Sequence, residues 1–520
     1  MKKFYVTTAI PYVNASPHIG FAMEITQADT LARYHRMKGE DVYFLTGVDE
    51  HGVKLYETAK AAGKDTQAFA DEYAVQFRAL KGILGLSNDG FIRTTDANHK
   101  QSAQKLWSVL AKKGDIYKGS YKGNYCSGCE AYILDKDLVD GKCPMHNKVP
   151  SVIEEENYFF KLSKYSDAIK KAIETDELRV LPASRKHEML NLIGDEGLKD
   201  VSFSRPKNIL PWGIDVPDDP TQVMYVWCDA LANYVTALGY DGEASSGAVG
   251  SSGDVGVKSS LLDKFWPCDA HVIGKDILRF HAGIWIGMLM SDGLALPKSI
   301  FVHGFVTSDG KKMSKSIGNV VDPILYVNEF GNEPLRYYLI REIPTGDDGD
   351  FSRSRFIEVY NSELANSFGN LVNRVVMMAE KNFSGVLPED FEDEKLNTEI
   401  GKFWTAYEGG MNDFNMKISM EAAIGLMMFG NKYVDDNKPW ELAKKNPEAL
   451  VKVLYDLLEI LRNLALMMAP IMPEKSLRIL KMLGISDVLE AGYGKFYGFL
   501  KKGSKIAKEG EPLFPRIEVK

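Results

Sequence analysis

The chain has few cysteines, five in 520 residues. So small a number cannot build the disulfide framework that is typical of small secreted domains. Three of the five fall in one short segment, at Cys126, Cys129 and Cys143. The scarcity of cysteine favours a reducing environment, and we expect a cytoplasmic protein.

Long apolar runs are also missing. The longest covers residues 464–472, which is about half of the roughly 20 residues that a bilayer-spanning helix needs. At the amino terminus, Pro11, Tyr12 and Asn14 interrupt the sequence before the apolar region of a signal peptide can develop. We therefore expect no membrane association and no targeting segment.

The chain carries no excess of positive charge. Its 63 Lys and Arg residues against 71 Asp and Glu residues give a formal net charge of -8. Any nucleic-acid partner would therefore be held by local basic strips and not by a global field. The composition, with 45% hydrophobic and 26% charged residues, is that of a globular protein. A chain of 520 residues exceeds what one hydrophobic core supports, so several domains are expected.

The first fifty residues have the pattern of a parallel α/β sheet. Residues 4–10 predict a buried strand, residues 18–38 a helix and residues 42–48 a second strand. Ligands bind such sheets at the carboxyl ends of the strands. Residues 11–20 and 49–52 are therefore predicted to share one rim of the sheet.

Later segments predict that this sheet is interrupted and then resumes. Residues 116–210 combine short strand-like pieces, many charges and a Cys/His cluster, as a separately folded insertion would. Strands are expected at 222–226, 270–274 and 300–305, with a helix over 276–290. From about residue 356 only amphipathic helical segments remain, which predicts an all-α bundle.

The predicted architecture is thus a Rossmann-like parallel-sheet domain with an inserted domain, followed by a helical bundle. The expected limits are 1–115 and 211–305 for the two halves of the sheet domain, 116–210 for the insertion, 306–355 for a connecting region, 356–490 for the bundle and 491–520 for a basic carboxyl-terminal tail.

Two short segments have the composition of phosphate-binding turns. Pro17-His18-Ile19-Gly20 lies at a predicted strand-to-helix turn, where a small residue lets phosphate approach backbone amides and the positive helix end. Residues 310–316 place three lysines and two hydroxyls on a glycine-anchored loop, which can wrap a triphosphate. Taken singly, each could instead be an ordinary structural turn.

Together, His18-Ile19-Gly20 and Lys312-Met313-Ser314-Lys315-Ser316 resemble the two signatures of the class I aminoacyl-tRNA synthetases. Within that class, further motifs make the sequence most similar to the methionyl-tRNA synthetase family. These motifs are Ala9-Ile10-Pro11-Tyr12, Asp49-Glu50-His51-Gly52, Tyr225-Val226-Trp227-Cys228-Asp229-Ala230, and Gly274-Lys275-Asp276-Ile277 with His281. The resemblance extends from Phe4 to about Met482.

The resemblance implies ATP-dependent activation of L-methionine to methionyl-adenylate, followed by transfer to tRNA(Met) for the initiation and elongation of protein synthesis. Neither step needs a protein nucleophile, so catalysis would come from positioning the reactants and neutralising charge on phosphorus. His18, Lys312 and Lys315 would be the catalytic residues, and Mg²⁺ would accompany ATP. The implied ATP site comprises His18, Gly20, Gly274, Asp276, Lys312, Ser314 and Lys315.

The resemblance also implies a methionine site. The Asp49 carboxylate and the Ile10 carbonyl would hold the α-ammonium, a pairing that any amino acid satisfies. Selectivity would then come from the side-chain pocket, with the Tyr234 hydroxyl near the sulfur. Taken singly, each wall residue could be ordinary core packing. The implied walls are Ile10, Tyr12, Trp227, Ala230, Leu231, Tyr234, Ile277 and His281.

One position departs from the family pattern. The usual His-x-Gly-His has Phe21 in its fourth place here, so one phosphate contact is lost or supplied elsewhere. Phe21 is the best support for an alternative, a catalytically inactive paralogue that binds RNA, whereas the intact Lys312, Lys315, Asp49 and Trp227 argue against it. A second alternative is a class I synthetase for leucine, isoleucine or valine. It is disfavoured because the insertion is too short for the editing domain of those enzymes.

The cysteine cluster has the spacing of a zinc site. Cys126-Ser-Gly-Cys129 and Cys143-Pro-Met-His146 are separated by thirteen residues and match a tetrahedral Cys₃His set. A disulfide with a bystander histidine is the alternative. Four protein ligands leave no position for substrate, so the Zn²⁺ would be structural and would fold a zinc knuckle. The resemblance places this inserted domain against the acceptor end of the tRNA.

The helical domain contains a candidate anticodon contact. By the resemblance, Trp440 would stack on an anticodon base, although a capped core tryptophan is an alternative. The family's anticodon-reading Asn and Arg positions are here Met377 and Lys381. The sequence supplies no residues after position 520 for the dimerisation module of some relatives, and we expect a monomer.

Overall fold

The computed structural model describes residues 1–126, 131–133, 135, 138–145, 147–242, 261–313, 319–508 and 510–518. Strands and helices alternate in the first part of the chain, and helices dominate after residue 352. The described strands are β1 (Lys3–Thr8), β2 (Asp41–Val48), β3 (Gly90–Arg93), β4 (Ile116–Cys126), β5 (Ala131–Ile133), β6 (Ser151–Phe160), β7 (Arg179–Leu181), β8 (Val201–Ser202), β9 (Ser204–Pro206), β10 (Asp215–Val216), β11 (Asp219–Met224), β12 (Ala270–Gly274), β13 (Ser299–His303), β14 (Val306–Ser308), β15 (Lys311–Lys312) and β16 (Gly349–Phe351).

The described helices in the first part of the chain are α1 (Ile19–Met37), α2 (Val53–Ala61), α3 (Thr66–Ile83), α4 (Ala97–Lys112), α5 (Ser166–Glu174), α6 (Ala183–Ile193), α7 (Val226–Thr236), α8 (Leu261–Phe265), α9 (Ile286–Asp292), α10 (Pro323–Phe330) and α11 (Asn332–Arg341). Those that follow are α12 (Arg353–Val359), α13 (Asn370–Phe383), α14 (Glu394–Asn412), α15 (Met416–Asn437), α16 (Pro439–Lys445), α17 (Pro447–Met468) and α18 (Pro473–Met482). None of the described helices combines the length and the apolar character that crossing a bilayer requires.

A six-stranded parallel sheet forms the centre of the first domain. Its order is β3-β2-β1-β12-β13-β7, and every neighbouring pair is parallel. The sequence order runs outward in opposite directions from β1, so a crevice opens between the ends of β1 and β12, where such sheets bind ligands. The predicted Rossmann-like parallel sheet is confirmed.

Three segments differ from the prediction. Strand β7 lies inside the predicted insertion, but it pairs with β13 and completes the central sheet. In this pairing, Leu181 lies opposite Phe301. Strand β11 pairs antiparallel with β9 and β10 and does not join the parallel sheet. The helix expected over 276–290 is split into a 3₁₀ turn, a π-helical segment (Phe280–Trp285) and α9. π-Helical segments are frequent at functional sites.

The rest of the insertion is mainly an antiparallel sheet in the order β5-β4-β6-β8. Its two long strands pair from Ile116 opposite Phe160 to Tyr125 opposite Ser151. The ribbon therefore carries Cys126 at its far end, where this residue pairs with Ala131 of β5.

The carboxyl-terminal part is a helical bundle, as predicted. Helices α14, α15, α17 and α18 pack together, and α17 is buried along most of its length. Residues of the predicted tail lie on this bundle. The buried Arg462 donates hydrogen bonds to the carbonyls of Ala491 (2.8 Å) and Lys495 (2.6 Å), and Tyr455 donates to that of Leu500 (2.9 Å).

A buried arginine joins the first domain to the bundle. Arg336 of α11 forms an ion pair with Asp29 of α1 at 2.7 Å, and both side chains are fully enclosed. The same guanidinium donates to the carbonyl of Ile471 at 2.7 Å and to that of Pro470 at 3.0 Å, just before α18. Sheet domain and bundle therefore meet at a charged, fully enclosed contact.

Candidate active site

The first turn after β1 contacts the segment that follows the lysine loop. The Ile19 amide donates a hydrogen bond to the Val321 carbonyl at 3.0 Å. Ile19 belongs to the His18 turn, and Val321 follows the loop that begins at Gly310. Two segments about 300 residues apart in the chain therefore meet at the end of the central sheet.

The His18 turn opens α1 at this rim. The Gly20 amide donates to Nδ1 of His18 at 3.1 Å, so the ring proton of neutral His18 lies on Nε2. A Cβ at residue 20 would come within 3.0 Å of the His18 ring, which explains the glycine. Desolvation lowers the pKa of His18, and the Asp276 carboxylate opposes this shift. Asp276 is therefore near enough to His18 to favour its charged form.

The lysine loop begins in a tight hairpin. Strands β14 and β15 are joined by Asp309 and Gly310, both with positive φ (49° and 73°), as a type I′ turn requires. The Asp350 carboxylate accepts hydrogen bonds from the Gly310 amide (2.7 Å) and the Thr307 hydroxyl (2.6 Å). The backbone of Lys312 ends β15, but its side chain, Ser314 and Lys315 lie outside the described residues.

Asp49 lies beside the segment that contains Ile10 and Tyr12. Its amide donates to the Pro11 carbonyl at 2.9 Å, and its own carbonyl accepts from Val13 at 3.3 Å. The buried carboxylate accepts the His51 amide at 3.1 Å. The structure therefore places Asp49, the predicted partner of the α-ammonium, beside Tyr12, a predicted wall of the side-chain pocket.

The residues predicted to line the side-chain pocket lie on α7 and on or next to the π-helical segment. Trp227, Ala230, Leu231 and Tyr234 follow the spacing of one helix face. The Trp227 ring stacks on Phe280, with centroids 3.8 Å apart and planes inclined by 9°.

The polar groups of the pocket are uncharged. His281 donates from Nδ1 to the Ile277 carbonyl (3.0 Å), so its Nε2 accepts a hydrogen bond from the Tyr234 hydroxyl (2.7 Å). Burial lowers the pKa of His281 to about 4 and raises that of Tyr234. An apolar wall with a neutral hydroxyl suits a thioether and disfavours charged side chains.

A buried pair that the sequence did not predict, Glu24 and His303, lies next to Gly274, one of the predicted ATP residues. Glu24 of α1 accepts the Ala9 amide at 2.9 Å and bonds Nε2 of His303 at 2.8 Å. Burial lowers the pKa of His303, but Glu24 more than offsets this and raises it. His303 also approaches Gly274, where an added Cβ would lie 3.6 Å from its ring and 2.9 Å from Asp276 Oδ1. The signal in the sequence that could have revealed this pair is Glu24, a charged residue among the buried positions of α1.

Phe21 belongs to the core. Its buried ring packs edge-on against Phe77 of α3, with centroids 5.5 Å apart. An aromatic ring in this place offers no hydrogen bond to a phosphate, so any compensating contact comes from other residues.

Two of the four predicted metal ligands are described. Cys126 and Cys143 are both buried in one small apolar cluster with Ile133. The Cys143 amide donates to the Lys148 carbonyl at 2.9 Å, which closes a tight turn behind it. Cys129 and His146 lie outside the described residues. Accordingly, no cluster of three or more metal-ligating side chains is found within the described part of the chain.

Trp440 lies on the surface of the bundle beside α13. The Trp440 side chain is 47% exposed, so it is not a core tryptophan. Met377 is exposed to the same extent. The Arg374 guanidinium lies 5.9 Å from the Trp440 ring centroid. Arg374, Met377 and Lys381 follow one face of α13, so this face and the indole ring form a continuous surface.

Comparison with known proteins decides the family. The model for class I tRNA synthetases (M) matches residues 4–149 and 134–376, and the model for the anticodon-binding domain of methionyl-tRNA ligase matches residues 388–518. The methionine–tRNA ligase of Thermotoga maritima is 42% identical over 100% of this chain and 81% of its own length. The chain belongs to the methionyl-tRNA synthetase family.

The relatives of this synthetase agree in sequence and in structure. The methionine–tRNA ligase of Clostridium acetobutylicum is 42% identical over 100% of this chain and 79% of its own length. Mycobacterium tuberculosis methionyl-tRNA synthetase in complex with methionyl-adenylate has a TM-score of 0.89 at 36% identity and covers 99% of this chain and 100% of its own. Its apo form has a TM-score of 0.84 at 34% identity, covering 100% and 99%. The synthetase is thus a class I methionine–tRNA ligase, as the motifs predicted.

Proposed function

We propose that the cleft between β1 and β12 binds ATP and L-methionine together and forms methionyl-adenylate, from which the methionyl group passes to the terminal ribose of tRNA(Met). The observation that carries this proposal is the contact between the His18 turn and the segment after the lysine loop, through Ile19 and Val321. It brings the His18 turn and the segment after the lysine loop to the same rim as residues 49–52, the Asp49 loop.

In the activation step, a methionine carboxylate oxygen attacks the α-phosphorus of ATP, and pyrophosphate leaves. The Asp49 carboxylate and the Ile10 carbonyl hold the α-ammonium, which orients the carboxylate for attack. His18 presents its Nε2–H to a phosphate oxygen, and the Gly20 backbone lets the phosphate approach α1. Asp276 and Gly274 bind the ribose side of ATP.

Lys312, Ser314 and Lys315 complete the triphosphate site in this proposal. They follow the β14–β15 hairpin, which is fixed at its turn by Asp350. The positive charges of Lys312 and Lys315 stabilise the leaving pyrophosphate, and the Ser314 hydroxyl offers it a hydrogen bond. Mg²⁺ bound with ATP supplies further charge neutralisation.

Pyrophosphate exchange into ATP, measured with each amino acid in turn, tests the proposed activity. Exchange with methionine alone is the expected result, because the pocket is apolar and uncharged. Exchange with leucine, isoleucine or valine would instead support a different specificity within class I. No exchange with any amino acid would support an inactive RNA-binding paralogue, which the loss of the second histidine at Phe21 favours.

We also propose that the Cys126 end of the β4–β6 ribbon holds a structural Zn²⁺ with Cys129, Cys143 and His146. The two described cysteines fit this role because both are buried in one cluster that is too small to be stable without a further link. Four filled positions exclude a substrate from the metal.

Metal analysis of the purified chain is expected to find one zinc per molecule. Removal of zinc with a strong chelator should unfold the end of the ribbon, because binding of the metal ion supplies the free energy that folds it. Proteolysis near residues 127–147 should then increase, while the methionine-dependent exchange rate changes little. A chain that holds no zinc after preparation without chelators would refute this site.

The surface formed by Trp440 and α13 is proposed to bind the anticodon. Replacement of Trp440 by Ala should weaken tRNA binding by about 1–3 kcal/mol, because a base loses its stacking partner. The apparent KM for tRNA in aminoacylation is expected to rise, while exchange without tRNA remains unchanged. Leu489→Ala, which also removes an exposed apolar side chain, is the control. Equal effects of both substitutions would contradict an anticodon role for Trp440.

We further propose that the synthetase acts as a cytoplasmic monomer. Sedimentation of the purified chain should give a mass near 58.1 kDa. A stable dimer would overturn this part of the proposal.

A further inference from the structure

Asp229 is a buried carboxylate that the mechanism above leaves without a role. It lies in the first turn of α7, two residues after Trp227, and is 1% exposed. Its Oδ2 lies 2.5 Å from Nδ1 of His51, and its Oδ1 lies 2.7 Å from Nε2 of His99. His51 belongs to the Asp49 loop and His99 to α4, so one carboxylate joins three separate segments.

The proton positions in this cluster follow from simple chemistry. Burial alone would raise the pKa of Asp229, but the two histidines lower it below its ordinary value. An ionised carboxylate only accepts hydrogen bonds, so both imidazoles donate to it. The Thr236 hydroxyl lies 2.7 Å from Nδ1 of His99 and donates to that nitrogen. Every polar atom in the chain of bonds then has a compatible partner.

His51 connects this cluster to the methionine site. Its ring is held by Asp229, while its backbone amide donates to Oδ1 of Asp49 at 3.1 Å. Displacement of the His51 ring would therefore strain the backbone whose amide holds the Asp49 carboxylate, beside a longer bond from the Thr94 hydroxyl at 3.4 Å. The ATP side of the cleft is supported by other residues, among them Glu24 and His303.

We propose that Asp229 is a positioning residue of the methionine subsite, which holds the Asp49 carboxylate, through His51, where the α-ammonium binds. The inference rests on the proposed role of Asp49. It predicts a defect in methionine binding and not in ATP binding.

Asp229→Asn tests this role, because the amide keeps the shape but offers only one acceptor oxygen. One of the two imidazoles then loses its bond. The KM for methionine should rise about tenfold or more, since small misplacements of binding groups have effects of this size. The KM for ATP and the exchange rate at saturating methionine should change less than about twofold. An unchanged KM for methionine, or equal rises for both substrates, would overturn the proposal.

The bundle offers a matched control. Asp456 is equally buried and accepts hydrogen bonds from Lys452 (2.5 Å) and Tyr433 (2.7 Å), far from the cleft. Asp456→Asn makes the same chemical change and should leave the KM for methionine unaltered. If the KM for methionine rose as much in Asp456→Asn as in Asp229→Asn, the effect would reflect a general loss of stability and not a displaced Asp49 carboxylate.

A second pair of variants keeps the test valid if Asp229→Asn folds poorly. In His51→Asn the side-chain amide can occupy the place of Nδ1 and donate to Asp229, whereas His51→Ala cannot. The asparagine variant should therefore retain a KM for methionine about tenfold lower than that of the alanine variant. Equal values would refute the role of the His51–Asp229 bond.

Nuclear magnetic resonance of ¹⁵N-histidine protein gives an independent signature. The short His51–Asp229 bond should shift the Nδ1 proton of His51 far downfield. The downfield shift should be lost in Asp229→Asn, because a neutral amide oxygen forms at most a weaker bond than a carboxylate, and it should be kept in Asp456→Asn. An unchanged shift in Asp229→Asn would contradict the charge-assisted bond. Failure of the inference is separable from failure of the proposed function. Normal exchange in Asp49→Ala would reject the methionine site, whereas an inactive Asp49→Ala beside a normal Asp229→Asn would reject only the positioning role.

Discussion

Replacement of Asp49 by Ala is expected to reduce methionine-dependent pyrophosphate exchange to the background level without unfolding the protein. The Asp49 carboxylate is buried next to Tyr12. In the proposed site it faces the α-ammonium of methionine, which in the variant would enter without a counter-charge. Removing one partner of a buried charge pair costs about 2–5 kcal/mol, or roughly 30-fold to several thousand-fold in kcat/KM. Exchange assays over a wide range of methionine concentrations measure this loss.

Two comparisons make the Asp49 result specific. Asp195→Ala removes a fully exposed carboxylate and should leave exchange and thermal stability unchanged. Far-ultraviolet circular dichroism of Asp49→Ala should match that of the unaltered protein, since the backbone hydrogen bonds of residue 49 to Pro11 and Val13 remain in the variant. Normal exchange in a folded Asp49→Ala variant would reject the assigned role of this residue.

Replacement of Arg336 by Ala is expected to give the largest loss of stability. The substitution removes one of the two arginines that pair with the buried Asp29 and leaves only Arg33. It also removes donors from the carbonyls of Ile471 and Pro470. Breaking a buried ion pair from one side costs about 3–5 kcal/mol. The midpoint of the first unfolding transition should therefore move to a markedly lower urea concentration or temperature. Tryptophan fluorescence or calorimetry measures this shift.

An exposed ion pair provides the control for Arg336. Arg353 forms a pair with Glu329 in which both side chains are about half exposed. Surface pairs contribute about 0–1 kcal/mol, so Arg353→Ala should change stability little. Arg336→Lys should not restore the loss, because an ammonium cannot reproduce the several directed bonds of the guanidinium. A loss for Arg336→Ala as small as that for Arg353→Ala would contradict the importance of this contact.

The same contact predicts a pH dependence. Burial raises the pKa of Asp29, but Arg336 and Arg33 outweigh it and hold the pKa below its ordinary value of 3.8. A carboxyl with a lowered folded-state pKa contributes stability above its unfolded-state pKa and loses it as the pH falls through the folded-state value. The stability gap between the unaltered protein and Arg336→Ala should therefore narrow on acidification. A gap that widens at low pH would contradict this assignment.

The sequence predicted those parts of the fold that are specified locally. Strand β1, helix α1 and strand β2 lie within two residues of their predicted ends, because apolar runs and the glycine at residue 39 mark them. The bundle helices likewise follow from amphipathic spacing. Strand β7 has only three residues and no distinct pattern, so its place beside β13 could not be predicted.

The site was predictable only where a motif carried it. Asp49, Trp227 and Asp276 stand in short recognisable segments. The bonds that support them join residues far apart in sequence, 279 positions for Glu24 with His303 and 130 for His99 with Asp229. Periodicity identifies such residues as polar side chains at buried positions, but it does not say which partner each one meets.

The pairing of β7 with β13 has a practical consequence for a shortened enzyme. Excision of all residues from 116 to 210 would remove β7 and turn β13 into an open border of the sheet. All five residues of β13 are buried, so the new border would be apolar and ready to pair with another molecule. A minimal catalytic fragment that keeps Arg179–Leu181 and α6 should stay monomeric in solution, whereas one that lacks them should precipitate.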